Sequence, residues 1–576
     1  MEENNENVTL DNNVETVNET NSGGYQAARA EVKPELNDVE IPNVEYSIEE
    51  PIVEKEKKKH GKKILLFVLL LLIIGGGVAA YFLLFNNKTK ESPQIEKKTE
   101  VKEQYSKYRL TSNGLEDFDL YFLGLEEKEK NQVYSPLSIK YALQMLSEGS
   151  NGETKKQLDS IIGDYKYNKY TNSKNMAFAN AMFVNSSSKD SIKASYKDNL
   201  KTKYNAEVII DDFSSSKNLN AWIKDHTLNL ISNLFTDDYI KDKTYILTNA
   251  LAIDMEWKTK IRAKDDVYMV EFPHEKYAAE LGPFYDYSGM YFNETQKVKM
   301  VPIAAVINKY DIVKTLGEDN IRKTVGAEYK KYYETSKEEP KNYTPSENEI
   351  NSYLDKYIEE IGKNYNYIDK STDFSVYVDD DVKVFGKDLK TYNNTTLEYI
   401  AIMPQKEKLK DFINNNDSKS INEIVNKLKD IKLENFKDGV VTDIYGDIPV
   451  FKFDYQMDLK TNLEKLGVTD VFDLSKADLS GISSEKTAIE GATHKATIDF
   501  SNDGIKAAAV TEEGGYGNAS GGFDYIYDVP IEYIDITFNK PFMFLIRDKS
   551  SKEVWFAGTV YNPTEYKGDI TLDVDE

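Results

Sequence analysis

The chain has 576 residues, enough for one large domain with accessory segments or for two or three ordinary domains. Its formal net charge of -25 leaves no basic face to neutralise phosphates, which argues against a nucleic-acid partner. Cysteine is absent and histidine occurs only four times, which excludes disulfides and cysteine nucleophiles and argues against a metal cluster. We expect no metal and no other cofactor.

The N-terminal region carries an acidic segment, a basic segment and an apolar run. Residues 1–54 show no sustained apolar periodicity, so they cannot offset their ordering entropy, and we predict a disordered tail. Residues 55–63 carry six lysines and lead directly into the uncharged run Ile64–Phe85. At about 22 residues this run forms a helix of about 33 Å, which is long enough to cross a bilayer.

A secretory signal peptide is the alternative interpretation of the apolar run. The run begins beyond residue 60, is longer than the usual signal-peptide core and lacks a small-residue cleavage pattern. We therefore predict a single-pass signal-anchor in the cell membrane. Because lysines are denser before the run than after it, we expect a cytoplasmic N-terminus and an extracellular remainder.

The remainder divides into a polar linker at 86–111, a mixed globular domain at 112–566 and a C-terminal tail at 567–576. No tandem repeat is present, which excludes solenoids and propellers. Helical patterns dominate the early part of the domain, and strand patterns cluster at 245–257 and from 440 onward.

The first segment with a distinctive pattern is NQVYSPLSIKYALQMLSEGSNGETKKQL (Asn131–Leu158). It predicts a short strand that ends at Ser135-Pro136 and a helix that begins at Pro136. Apolar residues recur at helical spacing and give this helix a buried face.

Four further segments follow in order. They are TYILTNALAIDMEWKTKI, LEKLGVTDVFDLSKADLSGIS, HKATIDFSNDGIKAAAV and FNKPFMFLIRDKSSKEVWFAGTVYNP. Together with the first segment they resemble the serpin family of serine protease inhibitors over some 450 residues. The resemblance implies an α+β fold, with helices packed around three β-sheets and an exposed reactive loop.

In this family, a protease cleaves the loop, whose hinge then inserts as a strand into the central sheet. The resemblance therefore implies an inhibitor and not an enzyme, expected to be a monomer whose partner is a target protease. The residues matching the hinge are Gly504, Ile505, Lys506, Ala507, Ala508, Ala509, Val510 and Thr511.

Period-two alternation suits this hinge to insertion. If Ile505 faces inward, so do Ala507, Ala509 and Thr511, and no charge falls on the buried face over that stretch. Gly504 would supply a flexible pivot without a Cβ.

Three hinge details depart from the family pattern. The family favours Thr or Ser where this chain has Ile505, and Lys506 replaces its usual glutamate at an outward position. Glu513 would face inward late in the insertion, where an unpaired carboxylate is costly to bury.

The family's spacing places the reactive bond at Asn518–Ala519, give or take one residue. No lysine or arginine occurs between Lys506 and Lys540, so a trypsin-like target is not expected. The small and polar residues around the bond favour an elastase-like or subtilisin-like serine protease, with a cysteine protease as the next alternative.

Further positions match family residues that support the sheet. Ser135, Ser138, Asn249 and His494 match a polar cluster beneath the strands that part, and Trp257 matches the tryptophan at the loop's entry point. A hydrolase with Ser135 and His494 is the alternative. Because the sequence has no GxSxG elbow and no identifiable third aspartate, it favours the structural cluster.

An insertion at about 305–375 makes the domain longer than usual. Within it we predict a helix with Thr344 as N-cap, Pro345 at the first helical position and Glu347 completing a capping box. An apolar stripe from Ile350 to Ile361 predicts that this helix packs against a neighbour. The insertion is either a surface decoration or a partner-binding element. Extra residues also follow the reactive bond, around 521–535.

Two functions remain open from the sequence: a cell-surface suicide inhibitor, or a non-inhibitory protein of the same fold used for surface binding or adhesion. The hinge favours inhibition, whereas Ile505 and Glu513 do not. The absence of cysteine and the richness in Lys, Asn and Ile suggest a bacterial envelope protein.

Overall fold

The structure is a computed structural model, and it describes residues 107–112, 114–125, 129–261, 291–336, 343–363, 365–505, 523, 527 and 529–565. The predicted tail, basic segment and apolar run, most of the linker and the C-terminal tail lie outside these ranges. Among the helices that are described, none has the length and apolarity that a bilayer crossing requires.

Helices lie mainly in the first half of the described chain and in the insertion. They are α1 (Asp117–Tyr121), α2 (Pro136–Glu148), α3 (Gly152–Ile162), α4 (Ala194–Tyr204), α5 (Lys217–Asp225), α6 (Asp237–Ile240), α7 (Ile312–Leu316), α8 (Glu318–Thr335), α9 (Glu347–Lys363), α10 (Leu409–Asn415), α11 (Ser418–Val425) and α12 (Leu459–Lys465).

Strands occur throughout the domain. They are β1 (Gln132–Tyr134), β2 (Met176–Asn185), β3 (Glu207–Asp211), β4 (Tyr245–Ile253), β5 (Met255–Glu256), β6 (Tyr291–Phe292), β7 (Gln296–Lys297), β8 (Met300–Asn308), β9 (Tyr367–Lys370), β10 (Ser375–Val378), β11 (Val382–Asp388), β12 (Leu397–Pro404), β13 (Lys429–Asp430), β14 (Val441–Pro449), β15 (Phe451–Asp458), β16 (Thr493–Phe500), β17 (Gly504–Ile505), β18 (Ile531–Asp535), β19 (Phe542–Asp548) and β20 (Val554–Val560).

The larger sheets surround one apolar core. One sheet has the order β1-β20-β19-β12-β11-β10-β13, and another has the order β18-β14-β8-β9. The ladders β3-β2-β4 and β15-β16-β17-β5 form what we call the central sheet, because only Asp254 separates β4 from β5. Helices packed around these sheets give the predicted α+β architecture.

The helix predicted to begin at Pro136 is confirmed. Ser135 is its N-cap in extended conformation, and its side-chain oxygen accepts a hydrogen bond from the Ser138 amide. The proline at the first helical position has no amide hydrogen to leave unpaired. Helix α2 is buried along most of its length and contacts β4 of the central sheet.

The insertion is helical and lies between two paired strands. Strand β8 ends at Asn308 and pairs with β9, which begins at Tyr367, so α7, α8 and α9 stand between them. The predicted bounds of 305–375 therefore include the ends of strands that belong to the sheets.

The predicted N-cap of the insertion helix is wrong by two residues. Helix α9 begins at Glu347, and the Ser346 carbonyl accepts the first helical hydrogen bond, from Ile350. Ser346 and Glu349 form the capping box: the Ser346 amide donates to Glu349 Oε2 at 2.8 Å, and the Glu349 amide donates to Ser346 Oγ at 3.4 Å. Thr344 and Pro345 precede this cap. The apolar stripe is confirmed, because Leu354 and Tyr357 are buried against residues of α7 and α8.

Candidate functional site

The first two hinge residues form a short strand inside the central sheet. Strand β17 pairs antiparallel with β16 through Phe500 and Ile505, and with β5 through the pairs Gly504–Glu256 and Ile505–Met255. Ile505 is 2% exposed and lies in the main apolar core, as the inward phase predicted. The remaining hinge residues, Lys506, Ala507, Ala508, Ala509, Val510 and Thr511, and the reactive-bond residues Asn518 and Ala519 lie outside the described residues.

Glycine is required at position 504 because the backbone of β5 approaches it closely. A Cβ at this position would lie 2.3 Å from the Met255 carbonyl oxygen and 2.7 Å from Glu256 Cα, and neither atom belongs to a flexible side chain. The sequence predicted a flexible pivot here. In the structure Gly504 is buried and paired within a strand, so its lack of a side chain matters for packing.

The turn before the hinge is fixed by hydrogen bonds and an ion pair. The Ser501 amide donates to the Gly504 carbonyl at 3.0 Å, and the Trp257 amide donates to the Asp503 carbonyl at 3.0 Å. The Asp503 side chain, almost fully buried, forms an ion pair with Lys260 at 2.9 Å. These contacts hold Gly504 and Ile505, the start of the hinge, in one position.

Trp257 lies directly under the point where the hinge enters. Its indole is fully buried, and Nε1 donates to the Ser501 carbonyl at 2.9 Å. The ring meets Phe500 edge-on, with 5.4 Å between the ring centroids. The predicted loop-entry role is therefore consistent with its position, since it contacts both the turn and the strand that flank the hinge.

Below the hinge, β4 and β16 face each other without a ladder. Their Cα atoms come within 8 Å, yet no strand pairing joins these two elements in the part of the chain that the structure describes. We call this boundary the seam. Because β17 is antiparallel to both β16 and β5, a strand that continued β17 would run down the seam with partners on both sides.

Three of the four predicted cluster residues line a small cavity under the seam. The cavity measures about 30 Å³, and its lining includes Ser138, Asn249 and His494 together with apolar residues of α2 and α12. Ser135 contacts this group through its amide, which donates to His494 Nε2 at 3.0 Å. The structure thus brings together Ser135, Ser138, Asn249 and His494.

Two polar atoms in this group lack hydrogen-bond partners among the described residues. They are Ser138 Oγ and Asn249 Oδ1, both buried. Asn249 Nδ2 donates to the side-chain oxygen of Asn180, and Asn180 in turn donates to the Tyr204 carbonyl at 3.0 Å. Sequence reasoning missed Asn180; its only signal was an amide within an apolar strand. A polar group that entered the cavity could form hydrogen bonds with Ser138 Oγ and Asn249 Oδ1.

The Ser135 and His494 geometry does not form a catalytic triad. His494 Nε2 accepts from the Ser135 backbone amide, while Ser135 Oγ is occupied as the helix N-cap. Among the described residues no carboxylate pairs with His494, and burial alone shifts its pKa. Burial lowers the pKa of His494 to about 4, so the ring is neutral at pH 7 and acts as an acceptor. The arrangement joins β16 to the N-terminus of helix α2 by a hydrogen bond beneath the seam.

Comparison with known protein families gives an independent result. A family model described as serpin (serine protease inhibitor) matches residues 118–277 and 341–563, which is more than half of the chain. An uncharacterized serpin-like protein of Methanosarcina acetivorans is 23% identical over 481 residues, covering 79% of this chain and 88% of that protein. Serpin B4 of Homo sapiens is 23% identical over 489 residues, covering 77% of this chain and 97% of that protein.

Solved structures share the fold. Human thyroxine-binding globulin has a TM-score of 0.52 at 18% identity, covering 81% of this chain and 100% of that chain. The thermophilic serpin tengpin in its native state has a TM-score of 0.51 at 18% identity, covering 83% and 96% respectively. At this identity the likeness concerns the fold alone.

Proposed function

The chain belongs to the serpin family, and from this membership we propose that it traps a protease by inserting its cleaved loop into its own central sheet. Serpins are generally protease inhibitors and not catalysts. One observation carries the proposal: Gly504 and Ile505 already occupy the first two positions of a strand between β16 and β5, above a seam without a ladder.

The observed register can be extended down the seam. If both pairings continue, Ala507 stands opposite Ile498 and Ile253, and Ala509 stands opposite Ala496 and Leu251. These neighbours face the core, so the two alanines add little volume and meet an apolar surface. The inserted strand also gains ladder hydrogen bonds on both sides, because successive residues bond alternately to the two neighbouring strands, and each bond is worth about 0.5–1.5 kcal/mol.

Lys506 suits the outward face of the same strand. The extended register places it opposite Asp499 and Asp254, so its ammonium group would lie between two carboxylates. Asp499 already forms an ion pair with Lys452 at 2.7 Å and retains 23% side-chain exposure. Lys506 therefore remains solvated, and its departure from the family's glutamate does not oppose insertion.

Thr511 would reach the cavity under the seam. The same register places it opposite both Asn249 and His494, on the inward face. A hydroxyl can both donate and accept, so it can donate to Asn249 Oδ1 and accept from Ser138 Oγ, the two unpaired polar atoms. Insertion as far as Thr511 would therefore relieve two buried unpaired groups.

Glu513 sets a limit to rapid insertion. It would stand opposite Ala492 and Leu247, among the apolar residues that line the cavity. Burying its carboxylate without a partner costs several kcal/mol, so insertion should be downhill to Thr511 and slower beyond it. Glu513 is also the observation that favours the alternative proposal, a non-inhibitory serpin used for surface binding or adhesion.

The covalent step belongs to the target protease. Its serine or cysteine nucleophile attacks the carbonyl carbon of Asn518, the bond to the Ala519 nitrogen breaks, and the Ala519 amine leaves with a proton. The ester or thioester that results joins protease and inhibitor. We propose an elastase-like or subtilisin-like serine protease as the target, since no basic residue lies between Lys506 and Lys540.

We further propose that the inhibitor is tethered to the cell membrane by Ile64–Phe85, with the serpin domain outside. The support is the length of this uncharged run and the six lysines that precede it. The relatives reported above come from an archaeon and a mammal, and the bacterial origin suggested by composition stays a prediction.

The decisive test is complex formation. The full-length chain in detergent is incubated with elastase-like, subtilisin-like, trypsin-like and papain-like proteases and separated under denaturing conditions. We expect an SDS-stable species of the combined mass with at least one non-trypsin-like enzyme, because an acyl bond survives denaturation. Clean cleavage at the loop, without any such species for any protease, would support the non-inhibitory alternative.

A further inference from the structure

The helical insertion holds the chain on the far side of the reactive bond. Phe523 packs against three tyrosines of α8 and α9, with centroid distances of 5.3 Å to Tyr329, 5.4 Å to Tyr332 and 5.7 Å to Tyr353. Tyr353 Oη also donates to the Phe523 carbonyl at 3.3 Å. We call these four residues the aromatic clasp.

The helix pair that carries the clasp is itself firmly packed. A Cβ at Gly326 of α8 would lie 3.3 Å from side-chain atoms of Ile350 and Leu354 of α9, so the helices approach closely at this glycine. Arg322 of α8 bridges to Asp355 of α9 at 2.7 Å. The clasp therefore stands on a pair of helices that are joined to each other by apolar and polar contacts.

Beyond the clasp the chain joins the sheet that contains β14. The Val441 amide donates to the Pro530 carbonyl at 2.9 Å, and β18 runs parallel to β14 from the pair Val441–Ile531 onward. Val529 packs between the helix pair and this sheet, since it contacts both apolar clusters. Tyr527 also packs against the helix pair, so a chain released from Phe523, Tyr527 and Val529 would next be attached at about Ile531.

We propose that Phe523 is a positioning residue that stops the uncleaved loop from inserting fully into the seam. This proposal rests on the proposed inhibitory function and adds a control on it. The loop is fixed at one end by Ile505 in β17 and at the other by Phe523 in the clasp. Before cleavage the loop is attached at both ends, so each residue that enters the seam requires about one further residue of chain to run back to the clasp.

Chain length gives the size of this limit. Phe523 lies 18 residues after Ile505. An extended chain spans at most about 3.3–3.6 Å per residue, and each residue that enters the seam needs about one residue of chain to run back to Phe523. Only about 9 residues can therefore enter before the chain between the two ends is fully extended. That insertion ends at about residue 514. If the chain were held only from Ile531, about 13 residues could enter, reaching about residue 518 at the predicted reactive bond. Cleavage removes the limit, because the inserted end is then free.

Two variants of the full-length chain test the proposal without cleavage. Phe523→Ala combined with Tyr527→Ala and Val529→Ala removes the side chains that attach the chain to the helix pair, and about eight Gly/Ser residues inserted between Ser520 and Gly521 leave these contacts intact but add the same slack. Each protein is incubated uncut at 37 °C, intact mass is verified, and conversion to a form with raised melting temperature and no cleavable loop is followed. We expect both variants to convert at least about tenfold faster than the parent, which is about 1.4 kcal/mol off the barrier.

Matched controls separate this role from general destabilisation. Tyr365→Ala removes an exposed aromatic residue of the same insertion, 37% exposed, and should convert at the parental rate. Phe523→Trp in the background of Tyr527→Ala and Val529→Ala should restore slow conversion, because it returns an aromatic ring to the three tyrosines. If both slack variants stay as stable in their cleavable form as the parent, while cleavage still stabilises the parent, the clasp proposal is overturned and the proposed function stands. If cleavage does not stabilise the parent, the proposed function fails and the clasp proposal fails with it.

Discussion

His494 is a neutral imidazole that accepts a hydrogen bond from the N-terminus of helix α2. The ring is 2% exposed and its Nε2 lies 3.0 Å from the Ser135 amide. Burial lowers its pKa to about 4 because the charged form would lose its hydration. Protonation would also remove the acceptor on which the Ser135 amide depends. Acid protonation of His494 would therefore break its hydrogen bond with the N-terminus of α2.

The pH dependence of stability follows from this shift. Between about pH 6.5 and 4 the unfolded chain binds a proton at His494 that the folded chain does not, so the free energy of unfolding falls as pH falls. The effect is on the order of 3 kcal/mol across that range. We expect denaturant unfolding at pH 7 and pH 4.5 to show a larger loss for the parent than for His494→Gln. Equal losses in the two proteins would contradict the assignment of a neutral acceptor.

At the level of elements, the sequence predicted those features that depend on local pattern. The start of α2 at Pro136 follows from a proline position, and the structure has it. The period of two left the phase of the hinge as an assumption, and the burial of Ile505 agrees with the phase assumed. The N-cap of α9 was misplaced because Thr344 and Ser346 both offer a hydroxyl three residues before a glutamate, and only the folded helix selects Ser346.

Other elements could not be predicted because they depend on distant contacts. Asn180 enters the polar group only because β2 pairs with β4, which brings it opposite Asn249. The aromatic clasp joins residues almost two hundred positions apart, and no local periodicity indicates that Phe523 meets Tyr329. The seam likewise depends on the relation of two strands far apart in the chain.

A single arginine on the inward face of the inserting strand tests the seam. The extended register places residue 507 opposite Ile498 and Ile253, so Ala507→Arg would bury an unpaired guanidinium. We expect the variant to be cleaved as a substrate, with SDS-stable complex reduced by at least about tenfold. The measurement is the ratio of complex to cleaved product.

The neighbouring position supplies the control. Residue 508 would face outward beside Thr497, which is only half-buried, so Ala508→Arg should keep most of the inhibitory yield. Complex formation by Ala507→Arg at the parental level would mean that the hinge does not enter the seam in this register.

At the scale of the whole molecule, the proposed inhibitor is a kinetic trap in which loop insertion is restrained until the loop is cleaved. The central sheet already accommodates the first two hinge residues, the cavity below contains unpaired polar atoms, and the aromatic clasp holds the far side of the loop. The first two features favour insertion, and the clasp is proposed to restrain it until the chain is cut. Insertion of the cleaved loop happens once per molecule, and it must be faster than hydrolysis of the acyl bond if the protease is to be trapped.

Hydrogen exchange on the cleaved protein tests the central claim most directly. The full-length chain is cut in the loop, separated from protease and compared with the uncut chain by peptide-resolved amide exchange. We predict that residues 506–511 and the facing edges of β4 and β16 become protected by at least about a thousandfold, as expected for a central strand. Rapid exchange over 506–511 after cleavage, with β4 and β16 unchanged, would contradict the account.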